Sequence, residues 1–272
     1  MSERTADVGV FGGSGFYSFL PDATEVHVPT EWGSPSARVT IATVSGARVA
    51  FLPRHGPHHE LPAHRVDYRA NVAAMGALGV RALFAPFAAG SLQAGLRPGD
   101  FVVVDQLVDR TQGRVDTFHD HFADGPRHVS LAEPYDATLR DVLLEAARAE
   151  GVTVHDGGTV VVINGPRFST RAESQWFSSM GWDLVNMTQY PEAALAREAG
   201  IPFAGLALVT DYDAGLDGDP SIQAVSQEHV FAMFEANLDR LKRVLARAVA
   251  LVDGRDATPT TPAPTPTPAP AR

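Results

Sequence analysis

Cysteine is absent from the 272 residues, so disulfides, a thiolate nucleophile and thiolate metal ligands are all excluded. No run of about 18 apolar residues occurs, which leaves no candidate for a membrane-spanning helix. The opening MSERTADVGVFGGSG lacks a basic segment followed by an unbroken apolar stretch and a small-residue cleavage site; a cytoplasmic location is expected. Positive charge is in deficit. The 22 basic and 32 acidic side chains leave a formal net charge of -10, a field that disfavours a nucleic-acid backbone as partner. A small anion is not excluded, because a few inward donors reverse the potential locally. Internal repeats and the helical HExxH metal spacing are also missing.

What is present suits one large α/β domain over residues 1–255. The 44% apolar and 20% charged residues match a packed globular chain rather than a disordered one. Asp7 to Phe11 reads as a buried strand running into the turn Gly12–Gly13–Ser14–Gly15, which brings backbone donors close to a ligand oxygen. Val39–Thr43 and Arg48–Leu52 form a hairpin around Ser45–Gly46. Tyr68–Leu78 is a helix stopped by Gly79. Arg81–Ala85 and Phe101–Val104 are strands, joined by a small-residue passage at Ala88–Leu92 and a turn at Arg97–Asp100. A helix over Thr138–Glu150, strands at Thr159–Ile163 and Phe203–Thr210, a helix over Glu192–Ala199 and a long helical pattern from Ser221 to Leu251 complete the order. This alternation predicts a mixed, mostly parallel sheet covered by helices on both faces. Residues 256–272, ATPTTPAPTPTPAPAR, are expected to form an extended disordered tail.

Four segments carry candidate chemistry. Arg54–His55 follow a strand, and with the Ser14 hydroxyl they offer charge-assisted bonds to phosphate. A histidine-rich loop with imidazoles at 55, 58, 59 and 64 also allows a metal or an ordinary surface loop. Phe168 stands in a loop feeding a helix, with Ser169 or Thr170 as cap; it stacks on a planar base or serves the core. Met187–Thr188 suits contact with a sugar and an anion, or simple packing at a helix entry. Asp211 and Asp213 leave the strongest buried strand, where acids suit a site at the sheet's carboxyl edge, a helix cap, an ion pair or a cation.

Taken in order, GVFGGSGF at 9–16, PRHG at 53–56, DQLVDRT at 105–111, GPRFSTRAES at 165–174, NMTQYPE at 186–192 and VTDYD at 209–213 are spaced as in one family. The chain closely resembles the methylthioadenosine phosphorylase branch of the trimeric purine nucleoside phosphorylases over most of residues 7–245. The resemblance implies the nucleoside phosphorylase fold and a homotrimer. It implies phosphate binding by Ser14, Arg54, His55, Ala88 and Thr188, and ribose contact by Met187. Phe168, Ser169, Asp211 and Asp213 would hold the base. His128 would enter the neighbouring subunit's sugar pocket and, with Val225, line the pocket for the 5′ substituent. Relatives commonly carry threonine where Phe87 stands and often glutamate where Asn164 stands.

On this reading phosphate is a co-substrate, no metal or organic cofactor takes part, and neither nucleic acid nor membrane is a partner. The expected reaction is phosphorolysis of 5′-methylthioadenosine, with Asp211 supporting protonation of purine N7. A 6-oxopurine (inosine or guanosine) phosphorylase is the near alternative, and Asp211–Tyr212–Asp213 speaks against it. Phe87 and Asn164 keep open a non-catalytic nucleoside-binding or assembly protein. A hydrolytic nucleosidase would leave the phosphate donors without a role.

Overall fold

A computed structural model describes residues 5–12, 23–122, 125–214 and 225–252. Ser14 and the tail at 256–272 lie outside these described residues. In chain order the elements are β1 (Val8–Gly12), β2 (Thr24–Val26), β3 (Val39–Val44), β4 (Ala47–Pro53), α1 (Tyr68–Ala77), β5 (Ala82–Ser91), β6 (Phe101–Val103) and β7 (Gln106–Asp109). There follow α2 (Ala137–Ala149), β8 (Val154–Asp156), β9 (Thr159–Val162), α3 (Arg171–Ser179), β10 (Leu184–Asn186), α4 (Gln189–Glu198), β11 (Phe203–Asp211) and α5 (Gln227–Val252).

All the strands join one 11-stranded sheet. Its centre is parallel: β1 pairs with β4 and β5, β5 with β11, and β9 with both β7 and β10. The β2–β3–β4 edge, β5–β10 and β6–β11 are antiparallel. Burial explains the sequence of β11, in which all nine residues are buried. Ala204, Leu206 and Leu208 face one apolar cluster with α2 and α5, and Phe203, Ala207 and Val209 face a second with α1 and α4. A strand covered by helices on both faces reads as a continuous apolar run, as here.

Local chemistry sets the boundaries. Ser45 and Gly46 turn the β3–β4 hairpin with φ of 52° and 90°, as a two-residue primed turn requires. Asp67 and Asp136 cap α1 and α2 by accepting from Ala70 N and Leu139 N. Of the two candidate caps for α3 it is Thr170 that accepts from Glu173 N, and Glu173 returns the bond to Thr170 N. The predicted small-residue passage at Ala88–Ser91 is instead strand. β5 runs ten residues and pairs in turn with β1, β11 and β10, so partners on both sides override the weak strand preference of Ala and Gly. The last helix begins at Gln227, leaving Val225 just before it.

Candidate active site

A cavity of about 830 Å³ opens where β4, β5, β9, β10 and β11 end or exchange partners, and α5 lies across it. Carboxyl edges of parallel strands are where α/β sheets hold ligands. At one end stands Arg54, the residue after β4. It is 2% exposed, and its Nε and Nη2 donate to the two carboxylate oxygens of Glu192, which is fully buried. Nη1 points at Pro86 O at 3.4 Å. Among the described residues these contacts leave two of the five guanidinium N–H groups for an anion, and Glu192 fixes their direction. Burial pushes the Glu192 carboxyl up, opposed by the charges of Arg54 and Arg114.

His55 lies beside Arg54, with Nδ1 2.9 Å from Leu61 O. Since a carbonyl only accepts, Nδ1 carries the proton and Nε2 is the free acceptor. Burial, then the neighbouring Arg54 charge, lowers the His55 pKa to about 3. The ring is therefore neutral at physiological pH, and Nε2 suits the O–H of a protonated phosphate or a sugar hydroxyl. Asn186 shapes the next corner. Its Oδ1 accepts from Thr188 N (2.6 Å) and Gln189 N (2.8 Å), and its Nδ2 donates to Ala88 O (3.2 Å). Thr188, 3% exposed, is thereby held at the start of α4 beside the cavity.

The two aspartates line the same cavity from the end of β11. A register shift between Val209 and Asp211 sets Asp211 against Gly90, a bulge that re-aims the side chain at the strand end. Asp211 Oδ2 accepts from Thr210 Oγ1 and Oδ1 from Asp213 N, both at 2.7 Å. Asp213 sits at φ 45°, in the left-handed region that non-glycine residues seldom take. Burial raises the pKa of both carboxyls. The Ser174 and Ser169 hydroxyls act the other way on Asp213, yet Ser169 Oγ and Asp213 Oδ2 complete no hydrogen bond of proper geometry. A Cβ on Gly90 would meet Asp211 Oδ1 at 3.0 Å, so glycine makes room for the pair.

Arg54, His55, Ala88, Phe168, Met187, Thr188, Asp211 and Asp213 all line this one cavity. Ser169 is outside that lining, half-buried with its hydroxyl oxygen enclosed near Asp213. His128 stands away, exposed and edge-on to Phe122 with centroids 5.6 Å apart. Val225 is also outside the lining, but its N–H donates to Asp213 O (2.9 Å). The histidine loop does not converge on a metal: His55 and His59 stack face to face at 4.4 Å, and His64 is exposed. No site role was expected of Glu192, Asn186 or Val230, and Phe231, Phe234 and Leu238, legible as an apolar stripe of the last helix, were expected on the sheet or a subunit boundary rather than over the cavity. An acid among the buried Ala193–Ala196 was the available signal for Glu192. The stripe follows helical spacing, but nothing local says that it covers a cavity; Phe231 does so through His59, edge-on at 5.6 Å.

A cavity lined by an arginine fork fixed by a buried glutamate and by two carboxyls whose pKa burial raises defines an α/β protein for a ligand that carries both an anionic group and hydrogen-bonding groups. The chain belongs to the phosphorylase superfamily, whose family model matches residues 7–250. It is 54% identical to an S-methyl-5′-thioadenosine phosphorylase of Mycolicibacterium smegmatis over 90% of this chain and 91% of that one. It is 51% identical to a purine nucleoside phosphorylase of Streptomyces coelicolor over 90% and 89%. A methylthioadenosine phosphorylase of Schistosoma mansoni solved with adenine superposes with TM-score 0.86 at 38% identity, covering 92% of this chain and 93% of that one. Family membership assigns a nucleoside-phosphorylase type of activity, with the mixed sheet and flanking helices of that fold. Among the described residues no helix is long and apolar enough to cross a membrane.

Proposed function

We propose that this protein transfers the pentosyl group of 5′-methylthioadenosine to inorganic phosphate, releasing adenine and 5-methylthioribose 1-phosphate. The observation that carries the reading is the convergence of Arg54, His55 and Thr188 with Asp211 and Asp213 on one cavity. Phosphate held by Arg54, the Ser14 and Thr188 hydroxyls and the Ala88 backbone attacks the anomeric carbon as the C–N bond breaks. The bonding pair leaves with the purine, whose N7 takes a proton from Asp211, and the transition state is oxocarbenium-like at the sugar. Raised carboxyl pKa values at Asp211 and Asp213 support proton donation near neutrality. Phe168 and Ser169 meet the base, and Met187 packs under the ribose. His128 serves a neighbouring subunit of a homotrimer, and Val225 completes the 5′ wall from beside Asp213. No metal or organic cofactor enters this chemistry.

The 6-aminopurine preference draws on the two aspartates, since a carboxyl oxygen of Asp213 accepts from an exocyclic amine while Asp211 serves N7. The methylthio preference draws on Val230, Phe231, Phe234 and Leu238, apolar side chains that suit a thioether better than a hydroxyl. Base release from 5′-methylthioadenosine, adenosine and inosine, each with and without phosphate, tests the reading. Phosphate-dependent adenine release, fastest from the methylthio nucleoside, is the expected result. Inosine preference would move the assignment to 6-oxopurines. Release without phosphate would make it a hydrolase, and binding without release from any substrate would make it a non-catalytic binder.

A further inference from the structure

The segment after β7 is bonded both to the turn that follows β9 and to the start of α4. Arg110 N donates to Val162 O (2.8 Å). Gln112 N donates to Asn164 Oδ1 and Asn164 Nδ2 to Gln112 O, both at 3.0 Å. Asn164 therefore turns its side chain to this strap and does not line the cavity. Arg114 is the centre. Nη2 donates to Ile163 O (3.3 Å) and Asn164 O (3.0 Å), and Nη1 donates to Tyr190 O and lies 3.4 Å from Tyr68 Oη. The guanidinium sits 5.2 Å over the Tyr68 ring, whose hydroxyl donates to Ala63 O (2.8 Å). Two residues on, Asp116 accepts from Tyr190 Oη at 2.6 Å.

Ile163 and Asn164 lead from β9 into the turn that carries Phe168, while Tyr190 follows Met187 and Thr188. Arg114 itself does not reach the cavity. We propose that Arg114 is a positioning residue: by clasping the carbonyls of Ile163, Asn164 and Tyr190 it fixes the spacing between the base-holding turn and the sugar-phosphate turn. A planar fork is needed for this, because one ammonium cannot span carbonyls on two segments. The inference rests on the nucleoside reading of the cavity, so one readout is chosen to need no ligand.

Arg114→Met and Arg114→Lys are compared with the wild type in three measurements. These are kcat/KM for 5′-methylthioadenosine, adenine affinity by calorimetry, and amide hydrogen exchange over 163–169 and 187–190. Arg114→Met is expected to lower kcat/KM by about 100-fold, the scale of a misplacement near 1 Å. Exchange should quicken in both segments together. Arg114→Lys should stay close to the Met variant. Recovery to the wild-type rate by Lys would show that charge suffices and overturn the clasp. A lowered Tm with kcat/KM and adenine affinity within twofold of wild type would reduce Arg114 to a fold contact and overturn it too. If Arg114→Met does not fold, Asn164→Ala removes only the paired amide bonds of the same strap. A fall in kcat/KM of roughly fivefold is expected there, and no change would overturn the proposal. A wild-type protein that releases no base refutes the functional reading alone; the exchange experiment then decides the clasp, with unchanged rates in either segment counting against it.

Discussion

His55 ties stability to pH with a definite sign. Its folded pKa, about 3, lies below the ordinary imidazole value of 6.5. The unfolded chain thus binds the extra proton first as pH falls, and stability is complete above pH 6.5 and is lost progressively down towards pH 3. The slope is up to about 1.4 kcal/mol per pH unit in that window. His59, lowered mainly by burial, acts in the same direction. His55→Gln should flatten the urea-unfolding free energy between pH 7 and pH 5 relative to wild type; an unchanged slope would show that His55 is not held neutral. Glu192 makes the complementary case. Its two oxygens neutralise a buried arginine, so Glu192→Gln leaves a charge with half its partner. A loss of roughly 3 kcal/mol is expected, because breaking one side of a buried pair strands the other. The phosphate KM should rise in the same variant, as the Arg54 fork is then free to turn. Stability within 1 kcal/mol of wild type would mean that the Arg54 charge is satisfied elsewhere.

At the scale of elements, the junction of β5 with β11 sets the two aspartates at the cavity. Gly90 stands opposite Asp211 at the bulge, and a methyl group there would lie 3.0 Å from Asp211 Oδ1 and 3.1 Å from both Asp213 Cβ and Val185 Cγ1. Gly90→Ala should therefore displace the two carboxyls by a few tenths of an ångström, costing turnover more than stability. A Tm change of a few degrees with kcat down at least tenfold is the expected pair of results; normal turnover would show that the aspartates need no such clearance. This junction also marks where the sequence was legible and where it was not. The apolar run of β11, its acidic end, the helix caps and the Ser45–Gly46 turn follow from local rules, and each was readable. Ala88–Ser91 was not, because small residues form strand here only through two partners, β11 and β10, far away in the chain. The Arg54–Glu192 pair was hidden for a similar reason: it joins residues 138 positions apart, and no local pattern encodes that distance.

For the molecule as a whole, the long stretch between β7 and α2 leaves Val115, Phe122 and Val129 exposed at 52%, 45% and 43%, with His128 beside them. Isolated exposed apolar residues are ordinary, but several on one irregular segment suit a subunit contact. The resemblance to trimeric phosphorylases and the position of His128, outside its own chain's cavity, point the same way. The cavity on a single chain would then lack one side of its sugar pocket, and turnover would require assembly. Sedimentation over a dilution series, with activity measured at each concentration, checks this. A trimer whose activity per chain falls as it dissociates is expected. In the intact assembly His128→Ala should raise the nucleoside KM severalfold and leave the phosphate KM unchanged, because Arg54, Thr188 and the α4 entrance all come from the chain that holds the phosphate. A fully active monomer, or a His128→Ala protein with both KM values unaltered, would make each site self-sufficient and remove the reason for the contact.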